Sequence, residues 1–120
     1  MNKKTVLIGA SQNPERYSYL AIKALRKHKH EVIAIGKTEG KVADVDFITE
    51  NLLISEVDTV SLYVNPTIQK FYYNYILSLH PKRIIFNPGT ENKELYALAV
   101  QNNILPLEAC TLVLLSTSQY

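Results

Sequence analysis

The residues Gly9-Ala10-Ser11-Gln12-Asn13-Pro14 carry the best-defined chemistry in this chain. They follow the apolar run Thr5-Val6-Leu7-Ile8, which reads as a short strand, and they precede a segment of helical period. Asn13 is a favoured N-cap, and Pro14 at the first helical position loses only an N–H that has no partner there. A strand, turn and helix joined in this way bring free backbone N–H groups and the positive end of a helix dipole to one point. That arrangement suits a phosphate or pyrophosphate. The dinucleotide pattern G-x-G-x-x-G needs a second glycine for close approach to the pyrophosphate and a third for helix packing. Here Ser11 and Pro14 stand at those positions. The Ser11 hydroxyl can itself bond a phosphate oxygen, and Pro14 stiffens the helix start. A plain strand-to-helix connection with no ligand accounts for the same residues.

Three Asn-Pro pairs, Asn13-Pro14, Asn65-Pro66 and Asn87-Pro88, each follow an expected strand. Asn-Pro starts turns, so each pair can simply end its strand. On one edge of a sheet, beside Gly9-Ala10-Ser11, they would instead form a preformed rim for a ligand. Other candidates for chemistry are few. His28, His30 and His80 fall at the ends of expected helices, where they cap or face solvent. Asp44 and Asp46 lack further carboxylates, no Cys/His cluster has metal spacing, and no Ser/His/Asp order fits a nucleophilic triad. No metal and no catalytic residue is expected.

The elements that must hold these residues fit one domain spanning residues 1–120, since 120 residues bury one core and not two. With 47% hydrophobic and 20% charged residues, the composition is globular rather than disordered. A net charge of +2 is too small to argue for nucleic acid. The basic cluster Arg26-Lys27-His28-Lys29-His30 sits at a helix end, where cations complement the dipole, and no aromatic residues interleave with it. No apolar run approaches a membrane span of about 20 residues. The start, Met1-Asn2-Lys3-Lys4, leads at once into strand-like sequence, without the apolar core of a signal peptide. A single cysteine, Cys110, fits a reducing compartment, so the expected location is the cytoplasm.

Short apolar runs alternate with helix-period segments. The runs Thr5–Gly9, Glu31–Ile35, Thr59–Val64, Arg83–Phe86 and Asn103–Leu107 hardly alternate with polar residues, as expected of strands buried on both faces. Between them Tyr17, Leu20, Ala21, Ala24 and Leu25 share one helical face. Ile68, Phe71, Tyr72, Tyr75, Ile76 and Leu79 make a second, and Leu95, Leu98 and Ala99 a third. Tyr73 lies off its face and would suit a homodimer contact. The segment Lys41–Ser55 reads as a loop, a brief extended piece near Phe47-Ile48 and a helical turn. The expected fold is α/β, a single Rossmann-like, doubly wound domain with a five-stranded parallel sheet in the order 3-2-1-4-5. Ligands of such sheets bind outside the carboxyl ends of the strands.

On these residues the chain resembles the small stand-alone coenzyme A-binding proteins, whose domain is similar to the nucleotide-binding domain of the succinyl-coenzyme A synthetase alpha subunit. Val6 to Arg16 is similar to the family's opening, including Ser in place of the second Gly. Glu31–Ile35 is similar to its second strand, Val57–Pro66 to its third strand and following turn, and Phe86–Asn92 to the loop before the last helix. The chain departs from the family at Gly36-Lys37-Thr38-Glu39-Gly40, where members carry Asn-Pro or a similar pair, and at Ala109, where many carry Arg before the cysteine.

The resemblance implies coenzyme A, free or acylated, as a small-molecule nucleotide ligand, with neither nucleic acid nor membrane as partner. It places Gly9, Ala10 and Ser11 at the pyrophosphate with Asn13, Pro14 and Arg16 at the helix start. Lys37 or Lys41 would meet the ribose 3′-phosphate. Val64, Asn65 and Pro66 would flank the adenine or upper pantetheine, and Asn87, Pro88 and Gly89 the arm towards the thiol. Cys110 is either an inert buried cysteine or the partner of the coenzyme thiol in a mixed disulfide. The synthetases use a histidine on a later domain, so the implied role is non-catalytic: a sensor, a carrier or the partner of an enzyme. The rival is an NAD(P)-binding oxidoreductase fragment or redox sensor. NAD sites place Asp or Glu after the second strand, where Gly36 and Lys37 stand, so NADP is the better alternative cofactor. An interaction domain without a ligand is the third reading.

Overall fold

The computed structural model describes residues 2–120. In chain order these form β1 (Thr5–Ile8), α1 (Tyr17–Lys27), β2 (Val32–Ile35), β3 (Lys41–Val42), β4 (Val45–Ile48), β5 (Thr59–Leu62) and α2 (Pro66–Gln69). A 3-10 turn (Lys70–Tyr72), α3 (Tyr73–Ser78), β6 (Arg83–Phe86), α4 (Lys93–Gln101), β7 (Leu105–Glu108) and α5 (Thr111–Ser116) follow. The strands make one sheet in the order β3-β4-β2-β1-β5-β6-β7, parallel except for the β3–β4 hairpin.

The sheet therefore has seven strands rather than the expected five, and its order differs. The run beginning at Thr59 lies beside β1, with Val60 opposite Val6, on the side away from β2. The place expected for it is taken by β4, which sets Phe47 opposite Ala34. β4 escapes a search for apolar runs because it alternates, with Val45 and Phe47 buried and Asp46 exposed. That is the pattern of a strand covered on one face. β3 and β4 need only a two-residue turn, in which Ala43 takes a positive φ of 55°. β7 carries Pro106, which an edge strand tolerates because one side of its backbone needs no partner.

Strands β1, β5 and β6 are buried along their whole length, since helices cover both faces. Ala21, Ile22 and Leu25 of α1 and Leu115 of α5 pack on Leu7, Ala34, Phe47 and Ile85. On the other face Tyr75, Ile76, Leu95 and Ala99 pack on Val6, Ile8, Val60 and Ile84. α5 has no counterpart in the sequence reading, because six residues of mostly apolar type show no period.

Several local expectations are corrected. α1 starts at Tyr17 and not at Pro14, and its sheet-facing stripe is Ser18, Ala21, Ile22 and Leu25, leaving Tyr17 exposed. His30 is buried and accepts the Lys3 N–H on Nδ1 at 2.8 Å, so it neither caps nor faces solvent. Tyr73 is half-buried rather than free on the surface, and its hydroxyl accepts from the Asn92 side chain at 2.8 Å. The basic cluster has a structural task. Arg26 grips Asp44 of the β3–β4 turn through Nε and Nη2, both at 2.8 Å, and donates to the His30 carbonyl. Among the described residues, no helix is long and apolar enough to cross a membrane.

Candidate functional site

At the carboxyl end of β1 the chain leaves the sheet at Gly9, whose φ of 102° lies in the left-handed region. The backbones of β1 and β5 converge so closely there that a Cβ on Gly9 would stand 2.8 Å from the Tyr63 carbonyl oxygen. The N–H groups of Gly9 and Ala10 both bond the Ile35 carbonyl at 2.9 Å, so neither remains for a ligand. Beyond them the chain turns on its own side chains. Ser11 Oγ accepts from the Asn13 N–H at 3.1 Å and Asn13 Oδ1 from the Glu15 N–H at 3.0 Å. The Arg16 N–H closes the turn on the Asn13 carbonyl at 3.0 Å. Asn13 and Pro14 thus make a β-turn before the helix, which is why α1 begins late. Among the described residues, the N–H groups of Ser11 and Gln12, and of Tyr17 and Ser18 at the start of α1, have no hydrogen-bond partner. Those four donors, with the positive end of an 11-residue helix, are groups able to bond an anion. The Ser11 hydroxyl accepts from Asn13 and still has its proton to donate.

Around this turn the sheet edge opens into a cleft of about 460 Å³. Its polar wall runs from Ser11 and Gln12 to Lys37 and Thr38, and its apolar wall is Phe47, Tyr63, Val64, Ile68 and Tyr72. Among the described residues, Arg16 and Lys37 are the only charged ones in the lining, and neither forms an ion pair. The cleft is therefore cationic with aromatic and aliphatic surface opposite, which suits a phosphorylated ligand with a flat base. It continues past Gly9, Ser11 and Arg16 into a hollow of about 240 Å³ bordered by Asn65, Pro88, Gly89 and Thr90. That in turn shares Tyr17, Tyr63 and Pro88 with a third hollow of about 210 Å³, which ends at Cys110 and Leu112. Through these shared walls they run as one groove across the carboxyl edge from β2 past β1 and β5 to the end of β6 and the start of α5.

A larger hollow, about 790 Å³, lies at the opposite edge among Lys4, Glu31, Glu56, Asp58, His80 and Lys82. Its charges are mixed, and Lys4, Lys82 and Arg83 pair with Glu31 and Asp58 at 3.8–3.9 Å. Parallel sheets bind ligands at the other end of the strands, where the order of connection reverses. The smaller groove is the better site.

Of the residues singled out in the sequence, Gly9, Ala10, Ser11, Asn13, Arg16, Lys37, Val64, Asn65, Pro88 and Gly89 line this groove, and Asn87 lines its far end. Pro14, Lys41 and Pro66 are not in its lining. Lys41 belongs to β3, and its backbone N–H donates to Gln12 Oε1 at 3.0 Å. Two of the asparagines serve the fold. Asn65 Oδ1 accepts from the Ile68 N–H at 3.0 Å and caps α2. Asn65→Ala should therefore cost about 1 kcal/mol in a denaturant titration. The buried Asn87 amide donates to Ser61 Oγ and the Leu62 carbonyl and accepts from the Thr111 N–H, tying β5, β6 and α5 together.

Gln12, Thr38, Phe47, Tyr63, Ile68 and Tyr72 complete the walls and were not singled out in the sequence. The position of Thr38 and Tyr63 just after a strand end is a usable signal for them; the others have none. The rim is stiffened by Gln69, fully buried, which donates to the carbonyls of Val64 and Thr90 at 2.8 Å and accepts from Asn92 at 2.9 Å. A glutamine on a short helix reads as solvent-facing in sequence. At the far end Tyr63 Oη is buried without a hydrogen bond, near the Ser61 and Thr111 hydroxyls, which bond each other at 2.9 Å. Burial pushes its phenol far above the usual value of 10.

A family model described as a CoA binding domain matches residues 3–116. Among solved structures, a chain described as an uncharacterized protein is 49% identical, with a TM-score of 0.97 over 100% of this chain and 99% of that one. A hypothetical protein from Pyrococcus horikoshii OT3 is 25% identical, with a TM-score of 0.83 over 93% of this chain and 80% of its own. Cell-free ID.343 from Thermus thermophilus shares the fold at 16% identity, with a TM-score of 0.83 over 98% of this chain and 91% of its own. No curated protein matches the chain.

Proposed function

The chain belongs to the CoA binding domain family, and on that premise we propose that it binds coenzyme A, free or acylated, along the carboxyl edge of its sheet and catalyses no reaction of its own. The observation that carries this reading is a groove whose charged side chains are all cationic, next to four unpartnered N–H donors. The pyrophosphate would lie against Ser11, Gln12 and Arg16, and the ribose 3′-phosphate against Lys37 and Thr38. Val64, Ile68 and Tyr72 would face the adenine, and Pro88 and Gly89 the pantetheine arm. When bound, coenzyme A supplies a thiol able to carry an acyl group. Among the described residues no histidine or carboxylate lines the groove, which supports a carrier, a sensor or a partner subunit rather than an acid–base catalyst. NADP is the competing ligand, since Lys37 suits its 2′-phosphate equally. For NAD, Glu39 lies outside the lining, leaving no acid to hold a ribose diol.

A thermal melt separates the ligands. At ~100 times its dissociation constant, coenzyme A adds about 2.7 kcal/mol, which raises the melting temperature of a domain this size by several degrees or more. A rise with NADP, and none with coenzyme A at the same concentration, would falsify the reading.

The 3′-phosphate gives a second test. Lys37 is exposed at the cleft, so a charge-assisted bond to that phosphate is worth about 1.5 kcal/mol, or roughly one decade in affinity. In calorimetry the wild type should prefer coenzyme A to dephospho-coenzyme A by that factor, and Lys37→Ala should bind both alike. Lys41→Ala should keep the preference, because Lys41 lies outside the lining. Equal binding of the two ligands by the wild type would reduce Lys37 to a solvated surface charge.

A further inference from the structure

We propose that the far hollow of the groove is an acyl pocket, and that the preferred ligand is a thioester of coenzyme A with a short, uncharged, aliphatic acyl group. This rests on the reading of the groove as a coenzyme A site and goes beyond it. The chain turns back over the sheet after β7: the Thr111 N–H next to Cys110 bonds Asn87 beyond β6, and the Thr111 hydroxyl bonds Ser61 of β5. From the turn after β1 the hollow therefore lies one to two strand spacings away, roughly 5–10 Å at about 4.8 Å each. The pantetheine arm has twelve bonds between the pyrophosphate and the sulfur. At the reach of an extended chain, about 3.5 Å for every three bonds, it spans roughly 14 Å. An arm anchored at Ser11 therefore has the length to bring its sulfur into the hollow that Cys110 lines.

The chemistry of that end is unlike the rest of the groove. The hollow of about 210 Å³ is walled by Tyr17, Tyr63, Pro88, Cys110 and Leu112. Its one amide, on Asn87, makes all its bonds within the protein, to Ser61, Leu62 and Thr111. Nothing there offers a charge to an acyl carboxylate, and desolvating one without a partner is costly. Taking roughly 30 Å³ for each heavy-atom group, the share of a water, the hollow holds about seven. The sulfur and the thioester carbonyl take three of them. About four carbons remain, so the fit is best for acyl groups of four or five carbons.

Calorimetry on the full chain with coenzyme A and its acetyl, butyryl, succinyl and octanoyl thioesters tests this. Each methylene buried contributes about 0.8 kcal/mol, so butyryl-coenzyme A should bind roughly tenfold tighter than acetyl-coenzyme A. Octanoyl should gain nothing further, and succinyl, equal in length to butyryl but charged, should bind no tighter than acetyl. Leu112→Trp fills the hollow and should bring butyryl down to the level of acetyl. Equal affinities for acetyl and butyryl, or succinyl tighter than butyryl, overturn the acyl pocket while binding of coenzyme A itself leaves the wider reading standing. Failure of every coenzyme A compound, with NADP binding, overturns both.

Discussion

Ser11→Tyr should abolish coenzyme A binding, raising the dissociation constant at least a hundredfold, while the protein stays folded. Ser11 borders both the main cleft and the hollow that follows it, so a ring there blocks the passage the pyrophosphate must occupy. The fold has little at stake at this position. The Ser11 hydroxyl makes one structural bond, accepting from the Asn13 N–H at 3.1 Å in an exposed turn, and its loss costs about 1 kcal/mol. The melting temperature should fall by only a few degrees and the far-ultraviolet circular dichroism should not change. Unchanged affinity in the folded variant would move the ligand to another surface.

Gly9→Ala tests the other side of the same turn and should destabilise the protein by about 2–4 kcal/mol. Two effects add. A residue with a Cβ is strained at a φ of 102°, and that Cβ would press on the Tyr63 carbonyl oxygen at 2.8 Å and on Val64 Cγ1 at 2.9 Å. Neither β1 nor β5 can yield easily, since both are buried along their length and paired with neighbours on either side. Gly89→Ala is the control. Its φ of 91° carries comparable strain, but nothing lies within 4 Å of the added carbon, so the cost should stay near 1 kcal/mol. Urea titrations measure both. Equal midpoints for the two variants would show that the close approach of β1 to β5 is unimportant.

The two glycines illustrate what a sequence can and cannot disclose. Gly9 is legible because a glycine directly after an apolar strand, followed by Ser and Asn-Pro, has few structural explanations. The buried strands β1, β5 and β6 are legible for a similar reason, since covering both faces demands unbroken apolar runs. β4 is legible only as a brief extended piece near Phe47-Ile48, because a strand with one solvated face needs only Val45 and Phe47 inward and is too short for alternation to stand out. Leaving that piece out of the sheet displaced the Thr59 strand to the wrong side of β2 and changed the expected sheet order.

The groove shows the same division. Lys37 was readable as a cation just after an expected strand end and Arg16 came with the family resemblance at the helix start, and the structure brings both into one cleft. Lys41 satisfied the same rule as Lys37 and falls outside the lining, because it belongs to the β3–β4 hairpin, where its backbone N–H donates to Gln12. Local pattern gives the order of residues along a strand edge but not the path of a hairpin beyond it. Gln69 was silent for a different reason. Its three bonds reach Val64, Thr90 and Asn92, partners up to 23 residues away, and such non-local satisfaction leaves no periodic trace.

An amide nuclear magnetic resonance titration of the labelled protein with coenzyme A addresses the central claim most directly. Shift changes should gather on Ser11, Gln12, Arg16, Tyr17, Ser18, Lys37, Val64 and Gly89, with the largest at the four N–H groups that lack partners. NADP at the same concentration should leave them nearly unmoved. Changes confined to the opposite edge, around Lys4, Asp58, His80 and Lys82, or a response of the groove to NADP and not to coenzyme A, would contradict the account.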